Sequence, residues 1–395
     1  MSELVHTLLL AALVLTFVPV CVLFTQVAFA ALPLDRRPAP AGPRPRLAVL
    51  VPAHDEAAGI RETLEALVAQ LAAGDRLLVV ADNCSDDTAG IARSCGAEVV
   101  ERRNPDLRGK GYALDFGLAS LDADPPRVVV IVDADCQVAP GTVGRIACAS
   151  AASARPVQAL YLMRAPGPAH VPMAIAEFAW RVRNLVRPLG MHRLGLPCQL
   201  TGSGMAVPWE AIRSISLASG HLAEDMQMGI DLARAGVPPL FCPEALVTSQ
   251  FPRNAQGVRS QRTRWEHGHL SMILGTVPAM IADHLHGRGR GLAAMALDVS
   301  VPPLALLALL VLALAGASAA FALLASETGP LWLALGLAAL FGLAVLVAWR
   351  RFARDLLSLS QLFLAAGYAA AKLPLYVRFL VRRQVEWVRS RRDGE

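Results

Sequence analysis

Asp133-Ala134-Asp135 sets two carboxylates two residues apart, directly after the apolar run Val128 to Val132. In an extended chain alternate side chains point the same way, so both can approach one hard divalent cation. Mg²⁺ commonly takes one or two carboxylates and completes its shell with water and substrate phosphates, which makes a nucleotide diphosphate the natural third party. Asp82 stands in a second acidic stretch, "ADNCSDDT", whose Asp86 to Thr88 part reads as a helix N-cap. Glu224-Asp225 opens "EDMQMGIDLARAG", as acidic residues favoured at a helix start or as a carboxylate placed to accept a proton. Gln261, Arg264 and Trp265 lie in "QRTRWEHGHL", which is either a basic collar at a membrane's edge or a set of ligands. "TGSGM", with Gly202, Ser203 and Gly204, is a tight turn or a place where small residues let a ligand reach the backbone. Lys110 in "RGKGY" suits a phosphate contact or a solvated helix start. His54, His221, His267 and His269 show no metal spacing tied to other ligands and read as structural or rim residues.

The elements that carry these residues alternate. "RLAVLVP", "RLLVVAD", "AEVVERR" and "RVVVIVD" read as strands; "GIRETLEALVAQLAA", "DDTAGIARSC" and "GKGYALDFGLASL" have helical spacing. Such alternation predicts an α/β doubly wound, mostly parallel sheet covered on both faces. Ligands bind such sheets at the carboxyl ends of the strands, where Asp82, Asp133 and Asp135 fall. There is no GxGxxG and no Walker lysine loop, so dinucleotide and P-loop readings lose their support.

The chain has 395 residues, 54% of them hydrophobic, too apolar for a purely soluble protein. The excess lies at the two ends. Leu4 to Leu32, Leu292 to Ala325 and Leu331 to Ala348 are each long enough to cross a hydrocarbon core of ~30 Å; Leu356 to Val381 is weaker. The first run lacks a preceding Lys or Arg and exceeds a normal signal h-region, so it reads as an uncleaved anchor, despite "AFA" at Ala28 to Ala30. Arg36, Arg37, Arg44, Arg46, Arg288, Arg290, Arg350, Arg351 and Arg354 flank the runs on the side that places the middle of the chain in the cytoplasm. The basic tail would then be external if the last segment crossed, which favours an interfacial or re-entrant segment there, with a true crossing as the alternative. The expected organisation is an anchor over 1–34, a cytoplasmic domain over 35–290, two transmembrane helices over 291–350, and a last hydrophobic segment with a basic tail over 351–395. Pro33 to Arg46 reads as an extended Pro-rich linker. Seven cysteines without CxxC spacing fit reduced cytosolic thiols, and the net charge of +5 is not gathered on a soluble face, which argues against nucleic acid.

In order, "LVPAHDEAAGIRETLEAL", "VVADNCSDDTAGIA", "RGKGYALDFGL", "VVIVDADC", "TGSGMAVP", "LAEDMQMGIDLARAG" and "QRTRW" resemble the membrane-bound family 2 glycosyltransferases, which include cellulose, chitin, hyaluronan and poly-N-acetylglucosamine synthases. The resemblance covers about Leu47 to Trp265. It implies the GT-A form of the doubly wound sheet. It implies that Asp82 recognises the uracil of a UDP-sugar, although Ala81 and Asn83 depart from the flanking aspartate and glycine common in the family. It implies further that Asp133 and Asp135 hold Mg²⁺ or Mn²⁺ and the diphosphate, that Asp225 is the catalytic base, and that Gln261, Arg264 and Trp265 form QxxRW. Gln261 and Arg264 would serve the nucleotide-sugar, and Trp265 with Gly202, Ser203 and Gly204 the acceptor.

The expected activity is inverting transfer from a UDP-sugar to form a β-linkage, in exopolysaccharide synthesis at the inner membrane. Ceramide glucosyltransferases share the motif set and layout, so transfer of one sugar to a lipid or lipid-linked repeat unit is the alternative. A non-catalytic membrane scaffold is the remote one. The partners implied are the UDP-sugar, a polysaccharide or lipid acceptor, membrane lipids, and export or assembly proteins.

Overall fold

The computed structural model describes residues 2–33, 43–167, 170–252, 254–289 and 291–381. Most of the Pro-rich linker, with Arg36 and Arg37, lies outside the described residues, as do Arg290 and the basic tail from Arg382. Eight strands form one sheet: β1 (Leu47–Ala53), β2 (Arg76–Asp82), β3 (Glu98–Arg102), β4 (Val128–Ile131), β5 (Gln137–Val138), β6 (Val157–Arg164), β7 (Met205–Pro208) and β8 (Leu240–Gln250). Their order is β3-β2-β1-β4-β7-β6-β8-β5. β3, β2, β1 and β4 run parallel, with Ile60–Val68, Thr88–Ser94 and Lys110–Leu121 as the intervening helices. Leu47 to Val51 and Val128 to Ile131 are fully buried, as continuous apolar runs must be when helices cover both faces.

β7 breaks the parallel pattern by pairing antiparallel with both β4 and β6. The turn that feeds it explains how. Gly204 has φ +70°, and a Cβ there would come within 2.7 Å of Val247 Cγ2 and 2.9 Å of Ala159 Cβ. Only glycine fits, and its N–H donates to the Ile131 carbonyl at 2.9 Å while its carbonyl accepts from the Ala159 N–H at 2.8 Å. The β1–β2 register pairs Ala53 with Ala81, and β1–β4 pairs Leu50 with Ile131. The segments after β1, β2 and β4 therefore open on the same edge of the sheet.

Among the described residues, four helical segments are long and apolar enough to cross a membrane: Ser2–Ala30, Leu304–Ala325, Gly329–Phe352 and Leu359–Val381. The run expected as one span from Leu292 is instead two helices, Leu292–Ser300 and Leu304–Ala325. Pro302 and Pro303 cause the break, since proline removes a backbone donor and disfavours helix in the residue before it. Met295 and Val299 of the shorter helix pack with Met226, Ile230 and Met272 of the sheet-containing body. The last segment comprises three short helices, Leu359–Phe363, Ala365–Ala370 and Leu373–Val381.

The N-terminal helix is fastened to this body by buried polar groups. Arg187 donates to Gln26 Oε1 at 3.1 Å and to Asp298 Oδ1 at 2.8 Å, while Gln26 Nε2 donates to the same carboxylate oxygen at 2.7 Å. Arg193 caps the helix end through the carbonyls of Phe29 and Ala30, each at 2.7 Å.

Candidate active site

Asp133 follows β4 and lies beside the β7 turn. Its backbone N–H donates to Ser203 Oγ at 3.1 Å, and its Oδ1 forms a close ion pair with Lys110 Nζ. Lys110 heads the helix Lys110–Leu121 and also donates to the Gly202 carbonyl at 2.5 Å. Gly202 has φ +95°, and a Cβ built on it would lie 3.3 Å from Asp225 Oδ2, 3.8 Å from Lys110 Nζ and 3.9 Å from Asp133 Oδ2. The missing side chain thus leaves a small cradle bounded by two carboxylates and an ammonium. Burial pushes the Asp133 carboxyl up and Asp135 adds to the rise, against the opposing charge of Lys110. Burial alone would lower Lys110, but Asp133 and Glu224 outweigh it and hold the ammonium above its ordinary value.

Asp133, Asp135 and Cys136 bring ligand atoms within 4.8 Å of one another. Burial holds the Cys136 thiol well above its usual range, so the pair of carboxylates is the usable donor set. Two hard oxygens crowded by like charge fit Mg²⁺ or Mn²⁺, which would relieve the repulsion that raises Asp133.

Asp82 ends β2 and is buried. Arg102, at the end of neighbouring β3, donates to Asp82 Oδ1 at 2.6 Å, and Asn83 Nδ2 donates to the same oxygen at 3.0 Å. The Asp82 carbonyl is held by His54 Nδ1 at 2.6 Å. A second acidic group, Asp55, Cys84 and Asp86, is used internally. Asp55 Oδ1 accepts from Ser85 N at 2.6 Å, and Asp86 accepts from Ala57 N and Thr88 N, each at 3.0 Å. These bonds tie the loop after β1 to the loop after β2; the N-cap position of helix Thr88–Ser94 is Asp87, whose side chain makes no capping bond, and Asp86 serves instead as the bridge between the two loops.

Asp225 lies in the first turn of helix Glu224–Arg234, where its Oδ1 accepts from Met226 N at 2.9 Å. Its neighbour Glu224 is pushed up to about 7, by burial first and by Asp225 second, with Lys110 and Arg264 opposing. Gln261, Arg264 and Trp265 come from helix Ala255–Gly275, which Asn254 caps through its Oδ1 and Gly257 N. Positions i, i+3 and i+4 share one helix face, and all three residues line the same cleft as Asp82, Asp133, Asp135 and Asp225, a space of about 650 Å³. Trp265 packs on Trp180 with ring centroids 4.8 Å apart, and Trp180 is anchored by its Nε1 to the Tyr161 carbonyl at 3.1 Å.

Of the expected loop, Thr201 and Gly202 line the cleft, whereas Ser203 and Gly204 do not. Ser203 is fully buried beneath Asp133 and Gly204 is sealed against Val247, so both are structural supports and not acceptor contacts. His267 and His269 bond backbone carbonyls of Leu375 and Val299, the structural place expected of them. Sequence reasoning missed Arg102, although a residue ending the strand beside β2 must lie near Asp82. It also missed Trp180, Arg183 and Asn184, which line the cleft from a helical stretch without any motif.

The chain aligns at 27% identity over 256 residues with the Bacillus subtilis protein named probable glycosyltransferase YdaM, covering 58% of this chain and 56% of that protein. A Mycobacterium tuberculosis protein named uncharacterized glycosyltransferase Rv0539 matches at 43% over 74 residues, 19% of this chain and 31% of its own length. These matches span about half or less of the relatives. The Pyrobaculum calidifontis mannosyltransferase PcManGT, solved with GDP-Man and Mn²⁺, has 19% identity and a TM-score of 0.61 over 97% of this chain and 100% of its own. That likeness shows the GT-A fold. The family described as Glycosyltransferase like family 2 matches residues 43–268, more than half of the chain. The chain therefore belongs to glycosyltransferase family 2, whose chemistry is sugar transfer from a nucleotide-sugar donor.

Proposed function

We propose that this protein is a membrane-bound, metal-dependent hexosyltransferase that takes its sugar from UDP and inverts the anomeric centre, so that an α-linked donor gives a β-linkage. Its role in this reading is exopolysaccharide synthesis at the inner membrane, with the body over 35–290 in the cytoplasm, the 1–34 anchor and 291–350 helices in the bilayer, and 351–395 along it. The observation that carries the reading is the meeting of Asp82, Asp133, Asp135, Asp225, Gln261, Arg264 and Trp265, from distant parts of the chain, around one cleft.

Asp82 reads the base. Arg102 and Asn83 both use Oδ1, so Oδ2 is the oxygen a uracil N–H can reach. Mg²⁺ or Mn²⁺ held by Asp133 and Asp135 would neutralise charge on the diphosphate. Asp225 takes the proton from the acceptor hydroxyl as its oxygen bonds to the anomeric carbon; the carbon–phosphate oxygen bond breaks and its electron pair leaves with UDP. Lys110 and Arg264 face the leaving group. The acceptor sugar stacks on Trp265. Asn184 Oδ1 and Thr201 Oγ1 are buried without partners among the described residues, and sugar hydroxyls would satisfy them.

Transfer of one sugar to a lipid or lipid-linked repeat unit is the second reading. It is favoured by a small cavity that abuts the cleft and is lined at its other end by Leu23 and Leu304 of the candidate membrane helices. Membranes incubated with a panel of radiolabelled UDP-sugars and Mg²⁺ or Mn²⁺, followed by separation of lipid-extractable product from polymer, test both. Polymer supports the first reading, lipid-extractable product alone replaces it with the second, and no transfer from any UDP-sugar removes both.

A further inference from the structure

A second cavity, of about 100 Å³, lies behind the Trp180–Trp265 wall of the donor cleft. It shares Trp180, Arg183, Phe251, Gln261 and Trp265 with that cleft, so the two spaces abut. At its far end stand Leu23 of the N-terminal helix and Pro303, Leu304 and Ala305 at the start of the next candidate span. It holds about three waters' volume, which suits a headgroup and not a second nucleotide.

The charges around it do not cancel. Arg187 is paired with Asp298, and Lys372 with Glu266. Burial pulls His269 down to about 3, so its ring is neutral. Arg183 and Arg262 have no carboxylate within ion-pair distance among the described residues. Arg183 lies over the Trp180 ring at 5.8 Å and beside Met226 Sδ at 3.7 Å, and Arg262 over the Tyr368 ring at 5.3 Å. Two guanidinium groups left over in a half-buried space, with apolar walls leading to membrane helices, form the complement of an anionic amphiphile.

We infer that the acceptor is a sugar joined through phosphate to a long apolar chain. Its phosphate sits between Arg183 and Arg262, and its chain leaves past Leu23 and Leu304 into the bilayer. The inference rests on the transferase reading above in its second form, transfer to a lipid-linked unit, and names the acceptor class for that site. The sugar end then reaches the cleft beside Trp265. One of its hydroxyls gives its proton to Asp225 and bonds to the anomeric carbon of the donor as UDP departs, while the phosphate bond to the lipid stays intact.

The test uses the purified full chain in lipid nanodiscs. Tryptophan fluorescence, to which Trp180 and Trp265 contribute, reads the binding of farnesyl phosphate, of farnesol, and of inorganic phosphate, with UDP binding followed in parallel. Farnesyl phosphate should bind at least about tenfold more tightly than farnesol, and Arg262→Gln should remove that difference while leaving UDP affinity unchanged. Ala305→Phe, which fills the chain end without touching a charge, should weaken farnesyl phosphate and farnesol while leaving UDP affinity unchanged. Farnesol binding as well as farnesyl phosphate, or inorganic phosphate competing as well as the lipid, overturns the inference. So does an Arg262→Gln or Ala305→Phe protein that binds farnesyl phosphate like wild type. Loss of UDP binding by the wild type would instead strike the transferase reading itself.

Discussion

At the scale of single residues, the site gathers acids that must share too little room. Glu224 and Asp225 are adjacent in one helical turn, and Asp133 lies across the Gly202 cradle from Asp225. The consequence is clearest at Glu224, whose carboxyl rises from 4.5 to about 7. The folded protein holds that proton more tightly than the unfolded chain, so the contribution to stability is full below about pH 4.5 and is lost as pH rises through about 7. Thermal melts across that window should show wild type losing stability relative to Glu224→Gln, with parallel curves contradicting the assignment. Asp133 and Asp135 stood out because two acids directly follow an apolar strand run, whereas Asp82 and Asp225 were singled out by the ordered motifs of the family resemblance; the structure places all four on one cleft. Lys110 was ambiguous, since nothing local distinguishes a solvated lysine from one held by a carbonyl 92 positions away. Ser203 and Gly204 were misread because a glycine-rich turn looks the same whether it admits a ligand or a neighbouring strand.

At the scale of elements, the parallel half of the sheet was readable nearly to the residue, because β-branched apolar runs alternating with amphipathic helices leave few other folds. The antiparallel half was not, since β5 is two residues long and β7 depends on contacts to Val247 and Ala159. The helix Ala255–Gly275 brings its motif face to the cleft while burying Glu266, His267 and His269 behind it. Of its three cleft residues, Arg264 and Trp265 should separate by function. Arg264→Ala should weaken UDP binding more than acceptor use, and Trp265→Ala should do the reverse, each by roughly tenfold, the loss of a charged contact or of a stacked ring. Titration of UDP alongside acceptor KM for both variants checks this, and equal effects on both ligands would remove the division of labour.

At the scale of the whole molecule, the catalytic body and the apolar helices are joined by a buried Arg187–Asp298–Gln26 network. Arg187→Met leaves Asp298 without its cation and should cost about 3 kcal/mol, while Arg187→Met with Asp298→Leu and Gln26→Leu, which leaves no member of the network unpaired, should recover most of it. Melting the three proteins in detergent decides this, and a single variant as stable as wild type would show the pair to be idle. The proline break before Leu304 was written in the sequence, yet a continuous apolar run concealed that Leu292–Ser300 belongs to the catalytic body. The abutting cavities give the proposed arrangement its sense: in that reading nucleotide lies on the polar side, acceptor on the membrane side, and Asp225 between them. The most direct measurement is therefore single-turnover transfer from a UDP-sugar by the full chain in nanodiscs, comparing wild type with Asp225→Asn while UDP affinity is followed. The account predicts transfer slowed by about 10²- to 10⁴-fold with UDP binding retained; transfer at the wild-type rate in Asp225→Asn would contradict it.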